Sequence, residues 1–369
     1  RVSGDDCRLD FGSFRMKRVA SEVAKTSDDE IRQQVGAGET PTLKTISRIS
    51  GMAVATVSRA LSDAPDIGHD TKELVNRIAN IIDYVPNRAG VRLRTGRTNV
   101  ISVVLPAESD VMTNAGKLTS SIAEELRGTR FHLNILPWFP DEDPLRPIKY
   151  IVETHSSDAV IFNMTEPDDK RVAFLLKRGF PFATHGRTKW CDHHAYYDYD
   201  NTAFIKNALT QLKARGRSNI LAVLPPLHQY YAQDMVRGLD RYAEHLGLNY
   251  RISKNVNSDQ KSDDIRQWVS RRLEKSPEID AIICSSSKGA IASIVAIEER
   301  NRLLGEDIDV YTKEVVPILK TFRQNIIVEL EDVGDAGRFL AKAVKQQLQH
   351  PEKKPMQELF VPTEASQLD

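Results

Sequence analysis

The residues with the plainest binding chemistry lie at 54–59, VATVSR. Ala55, Thr56 and Ser58 are short enough to let a helix approach another surface closely. Arg59 adds a guanidinium, which pairs bidentately with a guanine edge or clamps a phosphate. Val54 and Ala55 can touch thymine methyls but donate no side-chain hydrogen bonds. Catalytic chemistry has no comparable footing. No GxxxxGK[ST], GxSxG or HExxH occurs, so nothing supports nucleotide hydrolysis or acyl transfer, and no catalytic residue is assigned. Cys191-Asp192-His193-His194 has metal-ligand atoms, but adjacent histidines rarely point at one ion and no second cluster has ligand spacing. No metal and no cofactor is expected.

Arg59 needs a helix to carry it, and the flanking pattern supplies one. Leu43, Ile46 and Ile49 recur at i, i+3, i+6, and Val54, Val57 and Leu61 form a second apolar stripe beyond Gly51. Thr42 is placed to N-cap the first helix. Two amphipathic helices joined at a glycine turn make a helix-turn-helix, whose second helix can enter a DNA major groove. A third helix is predicted from Asp70 to Ile82, with Leu74, Val75, Ile78, Ala79 and Ile82 inward, and Pro86 disfavours its continuation. Ala53 lacks the side-chain oxygen that caps a helix, a loss of typically ~1 kcal/mol.

The chain has 369 residues and no net formal charge, with 40% hydrophobic and 28% charged residues, so two or three soluble domains are expected. Charge is unevenly spread. Residues 41–100 hold nine Lys/Arg and five Asp/Glu, and 88–97 hold four arginines and no acid. A basic N-terminal module on a neutral protein suits a two-part DNA-binding sensor. No apolar run approaches the ~20 residues of a membrane span. The first residues have no apolar signal region, and Cys7, Cys191 and Cys284 are odd in number and widely spaced. A cytoplasmic protein with reduced thiols and no membrane contact is expected.

From Asn99 onward the pattern changes. NVISVVLP, FHLNILPW, AVIFN, NILAVL, AIICSS and DIDVYT read as buried strands alternating with amphipathic helices. Alternation of this kind implies parallel sheets covered by helices on both faces, here two Rossmann-like lobes with a cleft between them. GDAGRFLAKAVKQQL is predicted to return to the first lobe and ELFVP to the second. Four stretches are expected: 1–40, a disordered extension with room for a short helix across 16–34 of no assigned function (and with Met16 a possible start); 41–87, a helix-turn-helix headpiece; 88–97, a hinge; and 98–369, a two-lobed domain for effector binding and dimerisation.

GMAVATVSRAL, YVPNRAGVRLRTGRT and NVISVVLP, in that order and spacing, resemble the LacI/GalR family of bacterial transcription regulators. The resemblance runs over roughly 41–365 and is strongest at 42–105. It implies an α/β protein with an all-α helix-turn-helix headpiece and a two-lobed, periplasmic-binding-protein-like effector domain. It further implies a homodimer on pseudo-palindromic double-stranded operator DNA, with half-sites resembling TGTAAnC about a central CG. The implied function is a repressor gated by a small-molecule effector, a carbohydrate. The alternative is a sugar-binding protein of the same fold that does not act on DNA. Thr42, Lys44, Val54, Ala55, Thr56, Ser58, Arg59, Asn87, Arg88 and Leu93 make up the DNA-binding set. Leu93 stands where the family wedges a leucine into the minor groove. Gly90, at ~1 kcal/mol of helix propensity, predicts a hinge that is disordered without DNA.

The candidate effector set is Arg187, Asp200, Tyr230, Tyr231 and Lys313, near the strand ends where the resemblance places the effector. Asp200 matches a family aspartate that contacts effector, and its carboxylate can also cap the helix beginning at Asn201. Arg187 offers five donors in a fixed fork, for a ligand or for a lobe-to-lobe salt bridge. LPPLHQYYAQDMVRGL and YTKEVV depart from the family pattern, leaving His228, Tyr230 and Tyr231, and Lys313 or Glu314, to supply contacts.

Overall fold

The computed structural model describes residues 26–36, 38–86, 88–107, 114–139, 141–315, 318–363 and 367–368. The chain divides into two compact units, Arg1–Thr98 and Asn99–Asp369.

In the first unit, α2 (Leu43–Ser50) and α3 (Val54–Leu61) form the expected helix pair. Thr42 caps α2 by accepting from the Thr45 amide, and Thr45 returns a bond to the Thr42 amide. Gly51 then takes φ 66°, a left-handed conformation that frees the chain to turn into α3. Ala53 gives α3 no side-chain cap, as its methyl group dictates. The third helix, α4 (His69–Ile81), buries Leu74, Val75, Ile78 and Ala79 against Ile46, Ile49, Val57 and Ala60.

The disordered reading of 1–40 does not hold where the extension is described, and a helix lies within the 16–34 window. Asp28–Gln33 is a helix, α1, opened by a Ser27/Glu30 capping box, and Ile31 is fully buried in the headpiece core. Arg77 Nη2 fixes this helix to α4 through Asp28 Oδ1 at 2.7 Å and the Thr26 carbonyl at 2.9 Å. Segment 88–97 also departs from expectation, since Arg88–Thr95 is helical (α5) despite Gly90. Ala89, Leu93 and its arginines favour helix strongly enough to offset one glycine.

The second unit carries two six-stranded sheets. The first uses β1 (Val100–Pro106), β2 (His132–Trp138), β3 (Ala159–Phe162), β4 (Phe182–His185), β5 (Ala195–Tyr199) and β11 (Gln357–Phe360), in the order 11-5-4-3-1-2, all parallel. Both faces are buried. Ile101, Val103 and Leu105 face α6 (Asn114–Glu125) and α14 (Val333–Gln349), while Val104 faces α7 (Leu145–Thr154) and α8 (Lys170–Arg178). The second sheet uses β6 (Asn219–Val223), β7 (Asn249–Ile252), β8 (Ala281–Cys284), β9 (Asp309–Glu314), β10 (Ile327–Leu330) and β12 (Gln367–Leu368), in the order 12-10-9-8-6-7. Only β12 runs antiparallel. Helices α9 (Asn201–Ala214) and α10 (Tyr230–Leu246) cover one face, and α11 (Ser262–Lys275), α12 (Ser287–Glu299) and the short α13 (Ile318–Phe322) the other.

The late helix α14 packs on the first sheet, as predicted. ELFVP does not join the second. It forms β11, which pairs in parallel with β5 from Gln357↔Tyr196 to Phe360↔Tyr199. This pairing covers the outer edge of β5, which would otherwise leave its backbone groups unpaired.

Candidate functional site

On the headpiece, burial of Val57 and Ala60 turns the opposite side of α3 outward. Val54 is 39% exposed, Ala55 and Arg59 are exposed, and Thr56 and Ser58 are half-buried. Thr42 and Lys44, at the start of α2, are exposed as well. Leu93 is 91% exposed on α5, an unusual position for a large aliphatic side chain. The backbone of Arg88 opens α5, and Asn87 lies outside the described residues. Ion pairs neutralise much of the local positive charge. Arg48 meets Glu39 at 3.1 Å, Lys72 meets Asp63 at 2.6 Å, Arg77 meets Asp28 at 2.7 Å, and Arg59 meets Asp66. Lys44 and the four arginines of 88–97 complete the nine basic residues of 41–100. Sequence reasoning did not single out Asp66; it registered only as one acid among five.

In the second unit, ligands of open α/β sheets bind beyond the carboxyl ends of the strands. Arg187 follows β4 there, after Gly186 at φ 117°. The Gly186 amide donates to the Tyr197 carbonyl at 2.8 Å, which holds the turn. The Arg187 guanidinium donates through Nε to Asp198 Oδ2 at 2.7 Å, and through Nη2 to Asp234 Oδ2 at 2.8 Å on α10 of the other lobe. Its carbon lies 5.4 Å from the Tyr230 ring centroid, and that of Arg237 lies 5.7 Å from the same ring. Arg237 also pairs with the second oxygen of Asp234. The Tyr230 amide donates to the Thr165 carbonyl at 2.8 Å, so side chain and backbone both join the lobes at this point. Of the two roles open to Arg187, the structure shows the lobe-to-lobe bridge.

Lys313 and Tyr231 lie in a second group. Lys313 Nζ is 2.8 Å from Glu331 Oε2, donates to Asn201 Oδ1 at 2.9 Å, and lies 4.6 Å from the Tyr199 ring centroid and 5.8 Å from that of Tyr231. His185 Nε2 is 3.9 Å from the other oxygen of Glu331. Asp200 Oδ1 accepts from the Thr202 and Ala203 amides at 3.0 Å each, which is the helix-capping role. Burial lowers the pKa of His185 and raises that of the Tyr231 phenol, so both are held neutral.

Several contributors were not legible as site residues. Asp198, Asp234 and Glu331 are the partners just described. Trp138 Nε1, Asn163 Oδ1, Gln229 Oε1 and Gln260 Oε1 are buried and make no hydrogen bond within the described residues. Each belongs to a strand end or loop on the carboxyl side of its sheet. Only Asn163 carried a signal, a polar residue ending an apolar strand. His194, from the metal-like run, is instead a core residue. Its Nε2 lies 3.0 Å from Thr188 Oγ1, its Nδ1 lies 3.0 Å from the Ala195 carbonyl, and it stacks on Phe182.

Burial dominates the Asp198 carboxyl and raises its pKa from 3.8 to about 6, against the pull of Arg187. Between those values the unfolded carboxyl ionises while the folded one keeps its proton. This group therefore favours the folded state at low pH and loses that contribution as pH rises through 6. Urea titrations from pH 4 to 7 should show the parent losing stability relative to Asp198→Asn over that window. A constant difference would show that Asp198 is ionised throughout.

Two family models match the chain. "Bacterial regulatory proteins, lacI family" covers residues 42–87, and "Periplasmic binding proteins and sugar binding domain of LacI family" covers 98–350. The HTH-type transcriptional regulator RafR of Escherichia coli is 31% identical over 268 residues, spanning 72% of this chain and 79% of that protein. The HTH-type transcriptional regulator AglR of Rhizobium meliloti (strain 1021) is 27% identical over 324 residues, spanning 86% and 91%. Among solved structures, the lac repressor dimer bound to operator and the anti-inducer ONPF superposes with a TM-score of 0.74 at 17% identity, covering 90% of this chain and 98% of that one.

Proposed function

The chain belongs to the LacI family of bacterial regulatory proteins, and on that premise we propose a sequence-specific DNA-binding repressor whose operator affinity is set by a carbohydrate held between its lobes. One observation carries this reading. A single chain joins a helix-turn-helix with an outward-facing Val54, Ala55 and Arg59 to a two-lobed α/β unit. The buried, unpartnered polar atoms at the carboxyl side of both sheets suit a hydroxylated ligand, because each sugar hydroxyl both donates and accepts. The alternative, a sugar binder that never meets DNA, leaves the exposed face of α3 and the exposed Leu93 without a role.

The protein acts in this reading as a cytoplasmic homodimer without catalytic activity. One headpiece makes few contacts, and two-fold symmetry in the protein is mirrored in the operator. Thr42, Lys44, Val54, Ala55, Thr56, Ser58, Arg59, Asn87, Arg88 and Leu93 form the DNA contact set, with Leu93 wedged at a central CG step. Tyr230, Tyr231, Arg187, Lys313 and Asp200 surround the effector, with the two ion-pair groups closing the lobes around it.

Selection from a randomised duplex pool tests the reading. Enriched sites should carry inverted half-sites about a central CG, and sites without inverted symmetry would overturn the dimeric DNA reading. Arg59→Ala should weaken binding to the selected duplex by ~1–3 kcal/mol if the guanidinium is bidentate to guanine. Unchanged affinity in a folded variant would remove Arg59 from the contact set.

A further inference from the structure

The Arg59–Asp66 pair joins the recognition helix to the loop that follows it. Both side chains are about half exposed, at 55% and 49%. Exposed pairs of this kind add little to stability, so stability does not account for the contact. The loop that carries Asp66 is itself fixed. The amides of Ser62 and Ala64 both donate to the Arg59 carbonyl, at 3.2 and 3.0 Å, and the Ile67 amide donates to Ala64 at 3.2 Å. Ile67 packs against the headpiece core, and Lys72 engages the loop's other acid, Asp63. Asp66 therefore presents its carboxylate from a loop tied to the same helix that carries Arg59.

Two physical consequences follow. A long arginine side chain loses rotamer freedom when it docks on a base, and a carboxylate that already holds it removes part of that loss. One carboxylate oxygen on Nη2 still leaves most of the five donors for a guanine edge, which needs two. The same carboxylate also cancels a unit of positive charge at the DNA-facing surface. Attraction to phosphate is independent of sequence, so the cancellation by itself weakens binding to right and wrong sites alike, and any gain in selectivity comes from the orientation of Arg59.

Resting on the DNA reading above, we propose that Asp66 is a positioning residue for base recognition: it orients Arg59 and so sets how sharply the protein prefers one guanine, while it withholds its charge from the phosphates. Asp66 itself need not touch DNA. The test uses the full chain and three probes: the duplex it selects from a random pool, that duplex with each base pair replaced in turn, and a scrambled duplex. Parent, Asp66→Ala, Asp66→Asn, Arg59→Ala and the Asp66→Ala/Arg59→Ala double variant are compared at several salt concentrations.

Asp66→Ala and Asp66→Asn should both lower discrimination by ~10-fold at the position that Arg59→Ala flattens, and leave the other positions unchanged. Binding to the scrambled duplex should tighten, with a log–log salt slope steeper by about one. Adding Asp66→Ala to Arg59→Ala should cost no further discrimination. Equal tightening on selected and scrambled duplexes, with discrimination intact, would overturn the proposal, because Asp66 would then only screen charge. Loss spread over all positions would overturn it too, as the mark of a distorted headpiece. If the parent enriches no sequence at all, the DNA reading fails and this proposal fails with it. If the parent enriches a site and the Asp66 pattern is absent, only the proposal fails.

Discussion

Arg187→Ala is expected to destabilise the two-lobed unit by ~3–5 kcal/mol at pH 8, the loss typical when a buried pair keeps one partner. The side chains of Asp198 and Asp234 are each only 5% exposed, and Arg187 donates to both. Alanine leaves two carboxylates in a poorly solvated site. Asp234 retains Arg237, and Asp198 retains the Tyr199 amide at 2.9 Å, so the loss falls short of two orphaned charges. Protonation offers the variant an escape. Asp198 already holds its proton up to about pH 6 in the parent, and without the cation its pKa rises further. The deficit should therefore be smaller at pH 5 than at pH 8. Arg187→Lys should fall between, since an ammonium lacks the fork that reaches two carboxylates at once. Urea unfolding at both pH values provides the measurement. A deficit below 1 kcal/mol at pH 8 would show that the bridge is solvated and that the lobes are held elsewhere.

The legible parts of this fold are those where local pattern and tertiary role agree. Helices α2, α3 and α4 announced themselves because their apolar stripes, the Thr42 cap and Gly51 all point to one arrangement. Strands β1, β3, β6 and β8 are buried on both faces and so read as short apolar runs. Strand β10 did not, because its centre holds Glu329. That carboxylate is fully buried and accepts from the hydroxyls of Tyr199 and Tyr311, a satisfaction invisible to a hydropathy pattern. Strand β7 alternates exposed and half-buried residues at a sheet edge, and its polar Asn249 and Arg251 hide it. ELFVP was assigned to the wrong sheet because pairing partners are set by crossover topology, which a single strand's residues do not encode. The Ser27-x-x-Glu30 box is a readable start for the short helix allowed across 16–34, and it marks the boundary that polar composition leaves open. In the cleft, residue types were legible and pairings were not. Arg187 was weighed as a bridge, but Asp198 and Asp234 lie 11 and 47 residues away and were not weighed as its partners.

Lys313→Ala is expected to cost ~3–5 kcal/mol for the same reason, with a different pH signature. Glu331 is 7% exposed, and Lys313 is its nearby lysine at 2.8 Å. The adjoining His185 is held neutral by burial and by the Lys313 charge, while Glu331 pulls its pKa upward. Removing Lys313 deletes one of the forces that lower the histidine's pKa and leaves the one that raises it. His185 in the variant should then bind a proton more readily than in the parent, although burial, the largest cause, still holds its pKa down. A histidine held neutral by the fold costs stability as pH falls through its unfolded value of about 6.5, and that cost shrinks when its folded pKa moves up. The variant should accordingly regain stability relative to the parent as pH falls from 8 to 6. Lys313→Ala/Glu331→Gln should recover much of the loss at pH 8, because the orphaned charge is gone, and the two single changes should be non-additive by ~0.5–3 kcal/mol. Thermal unfolding across that pH range, with an NMR titration of His185, separates the outcomes. A deficit that is flat with pH, with His185 titrating as in the parent, would mean that the cost comes from Asn201 and the ring faces of Tyr199 and Tyr231 rather than from the Glu331 charge.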